Sequence, residues 1–192
     1  MNAEPEPKLA APGAGLPKLE LLAARFIFAR YRRRGNRESF NADFQRERGK
    51  IGTMVRSCTP EQAARRVLID RVRGLEDSSR YWSVWMTLDH LRIVHLGILG
   101  TIKSLANGIV PPGAASTARV KPGVDVTADV VDEYEKSCDD LLATVAGVAD
   151  PETPEKFPHP WFGPLNAGSW HALAPNHLAI HRKQIERIIE GL

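Results

Sequence analysis

Apolar residues recur at helical spacing along most of this chain. Between residues 19 and 33, Leu19, Leu22, Ala23, Phe26, Ile27 and Tyr31 form one stripe beside arginines, and Gly35-Asn36 breaks the pattern. From about Glu38 to Arg56 the apolar positions are Phe40, Phe44, Ile51, Met54 and Val55. Thr59-Pro60-Glu61-Gln62 reads as a helix start: threonine is a favoured N-cap, proline suits the first helical position, and Gln62 completes a capping box. That helix is predicted to run to about Gly74. Ser83 caps a further helix that ends near Ala106, ahead of Asn107-Gly108. Val84, Met86, Leu88, Leu91, Ile98 and Ile102, with further apolar residues between them, leave it apolar on most sides, which predicts burial at the centre of a bundle. Residues 108–126 hold Pro111, Pro112, Gly113, Pro122 and Gly123 and read as a long loop. A helix starting at Asp125 or Thr127 carries Val130, Val131, Tyr134, Leu141, Leu142 and Val145 on its inner stripe. Pro151 to Pro164 is a second loop, and the last helix runs from Asn166–Ser169 to near Gly191. Pro175 is predicted to kink that helix or to divide its first turns from the rest. No segment alternates with a period of two, so the fold class is all-α.

The length of 192 residues suits one domain with a modest tail, and 43% hydrophobic content is enough for a core. Residues 1–17, with Pro5, Pro7, Pro12 and Pro17, read as a disordered tail. Residues 18–36 read as a basic amphipathic helix, and residues 37–192 as the bundle domain. The net charge of +3 is too small to argue for nucleic acid. Arginines crowd the first third and Asp129, Asp132, Glu133, Glu135, Asp139 and Asp140 a later helix; both blocks read most simply as solvated faces. Cys58 and Cys138 are far apart and form no metal or redox motif, so free thiols in a reducing cytosol are expected. No secretory signal and no bilayer-length apolar run is present, which points to a soluble, cytoplasmic protein.

Candidate chemistry lies in the histidines. His177 and His181 are four apart in the last helix, so both imidazoles project from one face. His90 lies in the most apolar helix, where a polar group needs a partner. If the two helices pack antiparallel, three neutral nitrogens can converge on a divalent metal. Three protein ligands leave a position open for water or substrate, as in a catalytic site. The plainer reading is a pair of surface or capping histidines and a satisfied core histidine. Asp89 or another carboxylate could fix a ligand tautomer from behind. His159, in a proline-flanked loop, is expected to support that loop, His171 to lie at the surface, and His95 to point away from His90. Neither cysteine has a neighbouring His or Lys pattern that marks a nucleophile.

Three segments carry a resemblance. The stretch Trp82-Ser83-Val84-Trp85-Met86-Thr87-Leu88-Asp89-His90-Leu91 resembles the second-helix motif of the DinB-like superfamily, a tryptophan followed by a turn or two and then His-Leu. His159-Pro160-Trp161-Phe162-Gly163-Pro164-Leu165, with Trp170 after it, resembles the His-Pro-Phe-Phe-Gly-Pro-Leu signature of the DUF1569 family within that superfamily. His177-Leu178-Ala179-Ile180-His181-Arg182-Lys183-Gln184 is similar to its final-helix pattern His-Leu-x-x-His-x-x-Gln. The match covers roughly residues 78–192, and Pro175 just before the histidine pair departs from it. The resemblance implies an up-down-down-up four-helix bundle with an extra N-terminal helix. It also implies a divalent metal, nickel or zinc, held by His90, His177 and His181. Relatives include transferases of low-molecular-weight thiols and a thiol-dependent isomerase, and a homodimer is the assembly implied.

Two functional readings follow. One is a metal-dependent thiol S-transferase or hydrolase acting on a small molecule, in which the metal lowers the pKa of a bound thiol or water. The other is a non-catalytic bundle that serves binding or interaction, in a stress response for example. The basic helix at 19–34 is expected to be an extra bundle or dimer helix, with contact to an anionic membrane as its alternative.

Overall fold

The structure is a computed structural model in which residues 7–192 are described. Four long helices form the bundle: α2 (Arg37–Arg56), α4 (Val84–Ala106), α5 (Val130–Ala146) and α6 (Ala167–Glu190). Helix α1 (Lys18–Arg34) lies outside it, and α3 (Pro60–Ala64) is a single short piece. Cross-helix contacts fix the directions. Phe40 meets His171 and Glu47 pairs with Arg182, so α2 and α6 run parallel. Arg92 pairs with Glu133 and His95 with Ser137, so α4 and α5 run parallel. Trp82, just ahead of α4, stacks on His181 while His90 meets His177, so α4 opposes α6. The order α2, α4, α5, α6 is therefore up-down-down-up, an all-α bundle as expected.

Local chemistry sets the helix ends. Asn36 caps α2 in a reciprocal box with Ser39, Thr59 and Gln62 do the same for α3, and Ser83 and Asn166 accept the Met86 and Ser169 amides. The predicted central helix is the most buried: Val84, Leu88, Leu91, Ile98, Ile102 and Leu105 on α4 pack against Phe44, Ile51, Leu141, Leu178 and Ile185. Burial of each such side chain contributes roughly 1.5–3 kcal/mol before conformational entropy is subtracted.

Several expectations change. The helix predicted from Thr59 to Gly74 stops at Ala64. The apolar run after it pairs instead, with β1 (Val67–Leu68) antiparallel to β2 (Tyr81–Trp82). That pairing buries Ile69 and sets Trp82 against the bundle. Gly74 turns the intervening loop at φ +88, where a Cβ would come within 2.8 Å of Ile180. Helix α5 begins at Val130, later than Asp125 or Thr127. The loop from Pro151 to Pro164 contains a hairpin, β3 (Phe157–His159) with β4 (Gly163–Leu165).

Pro175 does not divide α6, which continues from Ala167 to Glu190. The missing N–H of Pro175 would have met the His171 carbonyl; one residue on, the Asn176 side-chain amide donates to the Ala172 carbonyl at 2.9 Å. Of the expected tail, residues 1–6 lie outside the described residues. From Ala10 the rest of this segment is tied to the domain. The Ala10 amide donates to Asp77, those of Gly13 and Gly15 donate to Glu76, and Leu16 is buried.

In α1 the predicted apolar stripe is not the docking face: Leu19, Leu22, Phe26 and Ile27 stay exposed. The helix docks through Phe28, whose ring lies 4.6 Å from Phe162, and through polar ties. Glu20 pairs with Arg71 at 2.5 Å, Arg25 donates to the Trp161 carbonyl at 2.6 Å, and Arg32 donates to Ser169 at 3.0 Å. The basic and acidic blocks also meet: Arg48 of α2 bonds Glu135 and Asp139 of α5, each at 2.6 Å. No helix among the described residues is long and apolar enough to cross a membrane.

Candidate metal centre

His90 sits two turns into α4, on the side that faces α6. His177 and His181 sit four apart on α6, and the antiparallel packing brings all three together. His177 Nε2 lies 3.1 Å from His90 Nε2 and 3.1 Å from His181 Nε2. The three nitrogens lie within 4.8 Å of one another.

The far side of two rings is fixed. His90 Nδ1 donates to the Val120 carbonyl at 2.5 Å, and His181 Nδ1 donates to the Gln184 side-chain oxygen at 2.6 Å. The Gln184 amide in turn donates to the Ser79 carbonyl at 2.7 Å, so it cannot flip without losing both bonds. A neutral imidazole that donates from Nδ1 carries its lone pair on Nε2. Trp82 packs against His90 and stacks on His181, which limits rotation of both rings. Desolvation holds His90 down at about pKa 4 and keeps His177 and His181 well below the ordinary histidine value. The site is therefore neutral and rich in lone pairs near pH 7. His177 Nδ1 is buried with no protein partner.

This donor set fits a divalent cation. Three neutral nitrogens converge, and protonation is disfavoured as the means of filling the space between them. The groups behind the rings are the Gln184 amide and the Val120 carbonyl, not the carboxylate considered from sequence. Asp89 instead pairs with Arg92 at 2.6 Å and accepts the Gly123 amide at 3.0 Å. Gln184→Leu should weaken nickel binding roughly 10- to 100-fold, as loss of outer-shell partners does. Competition with a chromophoric chelator measures it, and an unchanged affinity would show that the amide does not set the His181 ring.

The histidines open on a cavity of about 690 Å³ between α1, α4, α6, the β3–β4 hairpin and the loop before α5. Its walls include Ile27, Phe28, Ile98, Phe162 and Leu173. Three residues and segments were not marked as site components by the sequence: Val120, the Gln184–Ser79 link, and α1 as a wall. Only Gln184 carried a signal, as the last position of the final-helix motif.

The sequence matches the family model of the DinB superfamily over residues 42–185. The chain belongs to the DinB superfamily. The solved four-helix bundle protein TT2238 is similar in fold, with a TM-score of 0.56 and 20% identity, covering 79% of this chain and 98% of that one. No curated protein matches the chain. The superfamily match includes α4 and most of α6, so all three clustered histidines fall within it.

The remaining histidines of this DinB-superfamily chain lie apart from the cluster. His95 is fully buried on another face of α4, 3.0 Å from Ser137 Oγ. His159 accepts the Trp161 amide at 3.1 Å and supports the hairpin, as expected. His171, expected at the surface, is buried edge-on to Phe40, because the first turns of α6 are enclosed by α2 and the hairpin. Cys138 lies 3.8 Å from His95, a neighbour that sequence spacing did not show. Burial pushes its thiol up to about 12, so it is no thiolate near neutral pH.

Proposed function

We propose that this chain is a metal-dependent enzyme of the thiol S-transferase or hydrolase type, with a nickel or zinc ion held by His90, His177 and His181. One observation carries the reading: three Nε2 atoms within 4.8 Å, on one wall of a largely apolar cavity. A bound divalent ion with an open position would lower the pKa of a thiol or water there, giving thiolate or hydroxide near neutral pH. The chain's own residues supply the rest. Val120 and Gln184 aim the two outer rings, Trp82 limits their rotation, and the apolar walls exclude water around a bound substrate. The narrower kinship with the DUF1569 family is part of this proposal and rests on the His159–Leu165 signature. A homodimer belongs to it too, supported by the exposed Leu19, Leu22 and Phe26 of α1.

The test is metal content and turnover together. Protein purified without an affinity tag is expected to hold close to one nickel or zinc ion per chain. It is also expected to conjugate a small thiol to an aryl halide only when loaded. No metal after incubation with nickel and zinc would overturn the enzyme reading and favour an interaction module.

A further inference from the structure

Beyond the three clustered histidines, one more imidazole lines the cavity. His159 ends β3 and lines the cavity beside Phe162 and Trp170. Its Nδ1 accepts the Trp161 backbone N–H at 3.1 Å. A ring nitrogen that accepts carries no proton, so neutral His159 must carry its proton on Nε2. Nε2 has no hydrogen-bond partner among the described residues. It is also not sealed off in the way that the orphaned His171 Nε2 and His177 Nδ1 are. With Nδ1 taken up by the hairpin, Nε2–H is the ring's remaining polar group, on a residue that lines the cavity. Stacking on Phe162 at 5.0 Å and an edge contact with Trp170 at 5.5 Å hold the ring in place. Burial keeps His159 at about pKa 4, so this donor persists, neutral, through the physiological range.

The charges around the cavity point the same way. The two carboxylates that line it are engaged, Glu20 by Arg71 and Glu76 by Lys121. Arg73, Arg119 and Lys183 also line it and are exposed, with Arg73 near enough to Glu20 to help hold its carboxyl down. A ligand in the cavity meets largely apolar walls, exposed basic side chains and the His159 imidazole. A cavity of about 690 Å³ is in the range that encloses a ligand of two or three rings.

We propose that the cavity binds an apolar, ring-bearing ligand with an anionic acceptor such as a carboxylate or sulfonate, and that His159 Nε2–H is the donor that positions that acceptor. This names a substrate class for the enzyme reading above. It rests on that reading for the chemistry and not for the binding.

Two dyes that differ only by a sulfonate test it: 8-anilinonaphthalene-1-sulfonate and N-phenyl-1-naphthylamine. Wild type, free of metal, is expected to bind the sulfonate roughly tenfold more tightly, the low end for a hydrogen bond to a charged group. His159→Phe keeps an aromatic ring against Phe162 and removes the donor. It is expected to lose roughly tenfold in affinity for the sulfonate while the neutral dye changes less than about twofold. His159→Gln, which returns an N–H at similar reach, is expected to recover part of the loss. Equal loss of both dyes in His159→Phe would mean that the ring only supports the hairpin, and unchanged sulfonate binding would mean that it holds no acceptor. Either result overturns the proposal. A long-range proton–nitrogen correlation on wild type reads the tautomer directly, and an Nδ1–H form would overturn it whatever the variants do. All of these readouts use metal-free protein, so failure of the metal reading leaves them standing, and their failure leaves the metal reading standing.

Discussion

His177→Ala, purified without an affinity tag, should retain almost no nickel or zinc after desalting, where wild type retains close to one ion per chain. Plasma mass spectrometry reads the difference. The expected loss of affinity exceeds about 100-fold, because removal of outer-shell partners alone costs roughly 10- to 100-fold. His177 is the middle member of the cluster: its Nε2 is the atom 3.1 Å from each of the other two. Without it, His90 and His181 remain on opposite helices with two nitrogens between them.

The same substitution should leave the fold largely intact. His177 is only partly buried, faces the cavity, and has an Nδ1 with no protein partner. Alanine therefore removes an unsatisfied polar atom along with the ligand, and no buried neighbour loses a hydrogen bond to that atom. His95→Ala is the control. His95 lies on the same helix as His90 but bonds Ser137, so its loss should spare metal binding while costing packing. Equal metal retention by wild type and His177→Ala would place any bound ion elsewhere. Metal loss in both variants would trace the effect to the bundle and not to the ligand.

How much of this was legible in the sequence depends on how local each cause is. Helix α4 was read to its caps because Ser83, Asn107-Gly108 and the apolar run between them are local signals. The spacing of His177 and His181 fixed their common face for the same reason. Convergence with His90 was legible only as a condition, since it needs α4 and α6 to be antiparallel, and the resemblance made that the expected arrangement. Tertiary causes were not legible. The run Val67-Leu68-Ile69 continues a helical pattern in isolation and turns extended because Tyr81-Trp82 offers it a partner. In α1 the apolar stripe suggested an extra bundle or dimer helix without saying how it docks, and Glu20, Arg25 and Arg32 find partners on other elements and set the helix down on Phe28. Val120 could not be marked at all, because a backbone carbonyl in a loop has no sequence signature.

That loop also sets the second large effect: Glu76→Ala should destabilise the protein by about 2–4 kcal/mol at pH 7 and loosen the metal site with it. Glu76 is 4% exposed and joins three parts of the chain. It accepts from Lys121 at 2.9 Å and Thr117 at 2.8 Å in the loop before α5, and from the amides of Gly13 and Gly15 in the N-terminal segment. Alanine strands those donors. Lys121 keeps some access to water, which holds the cost below that of a fully buried broken pair. Desolvation pushes the Glu76 carboxyl up, but the Lys121 and Thr117 bonds outweigh it, and the native pKa lies below the ordinary 4.5. A depressed carboxylate contributes its stability in full above the unfolded value and loses it as pH falls through the native value. The gap between wild type and Glu76→Ala should therefore be widest near neutrality and narrow progressively below pH 4.5. Urea unfolding of both proteins at neutral and acid pH measures it, and a gap that stays constant would show that the charge of Glu76 adds nothing. Lys121 adjoins Val120, whose carbonyl holds His90 Nδ1 at 2.5 Å. Freed from Glu76, that carbonyl should wander, and nickel affinity should fall by about tenfold in a chain that still folds. Intact affinity in the folded variant would show that Val120 keeps its place through other contacts, and that the hub at Glu76 serves stability alone.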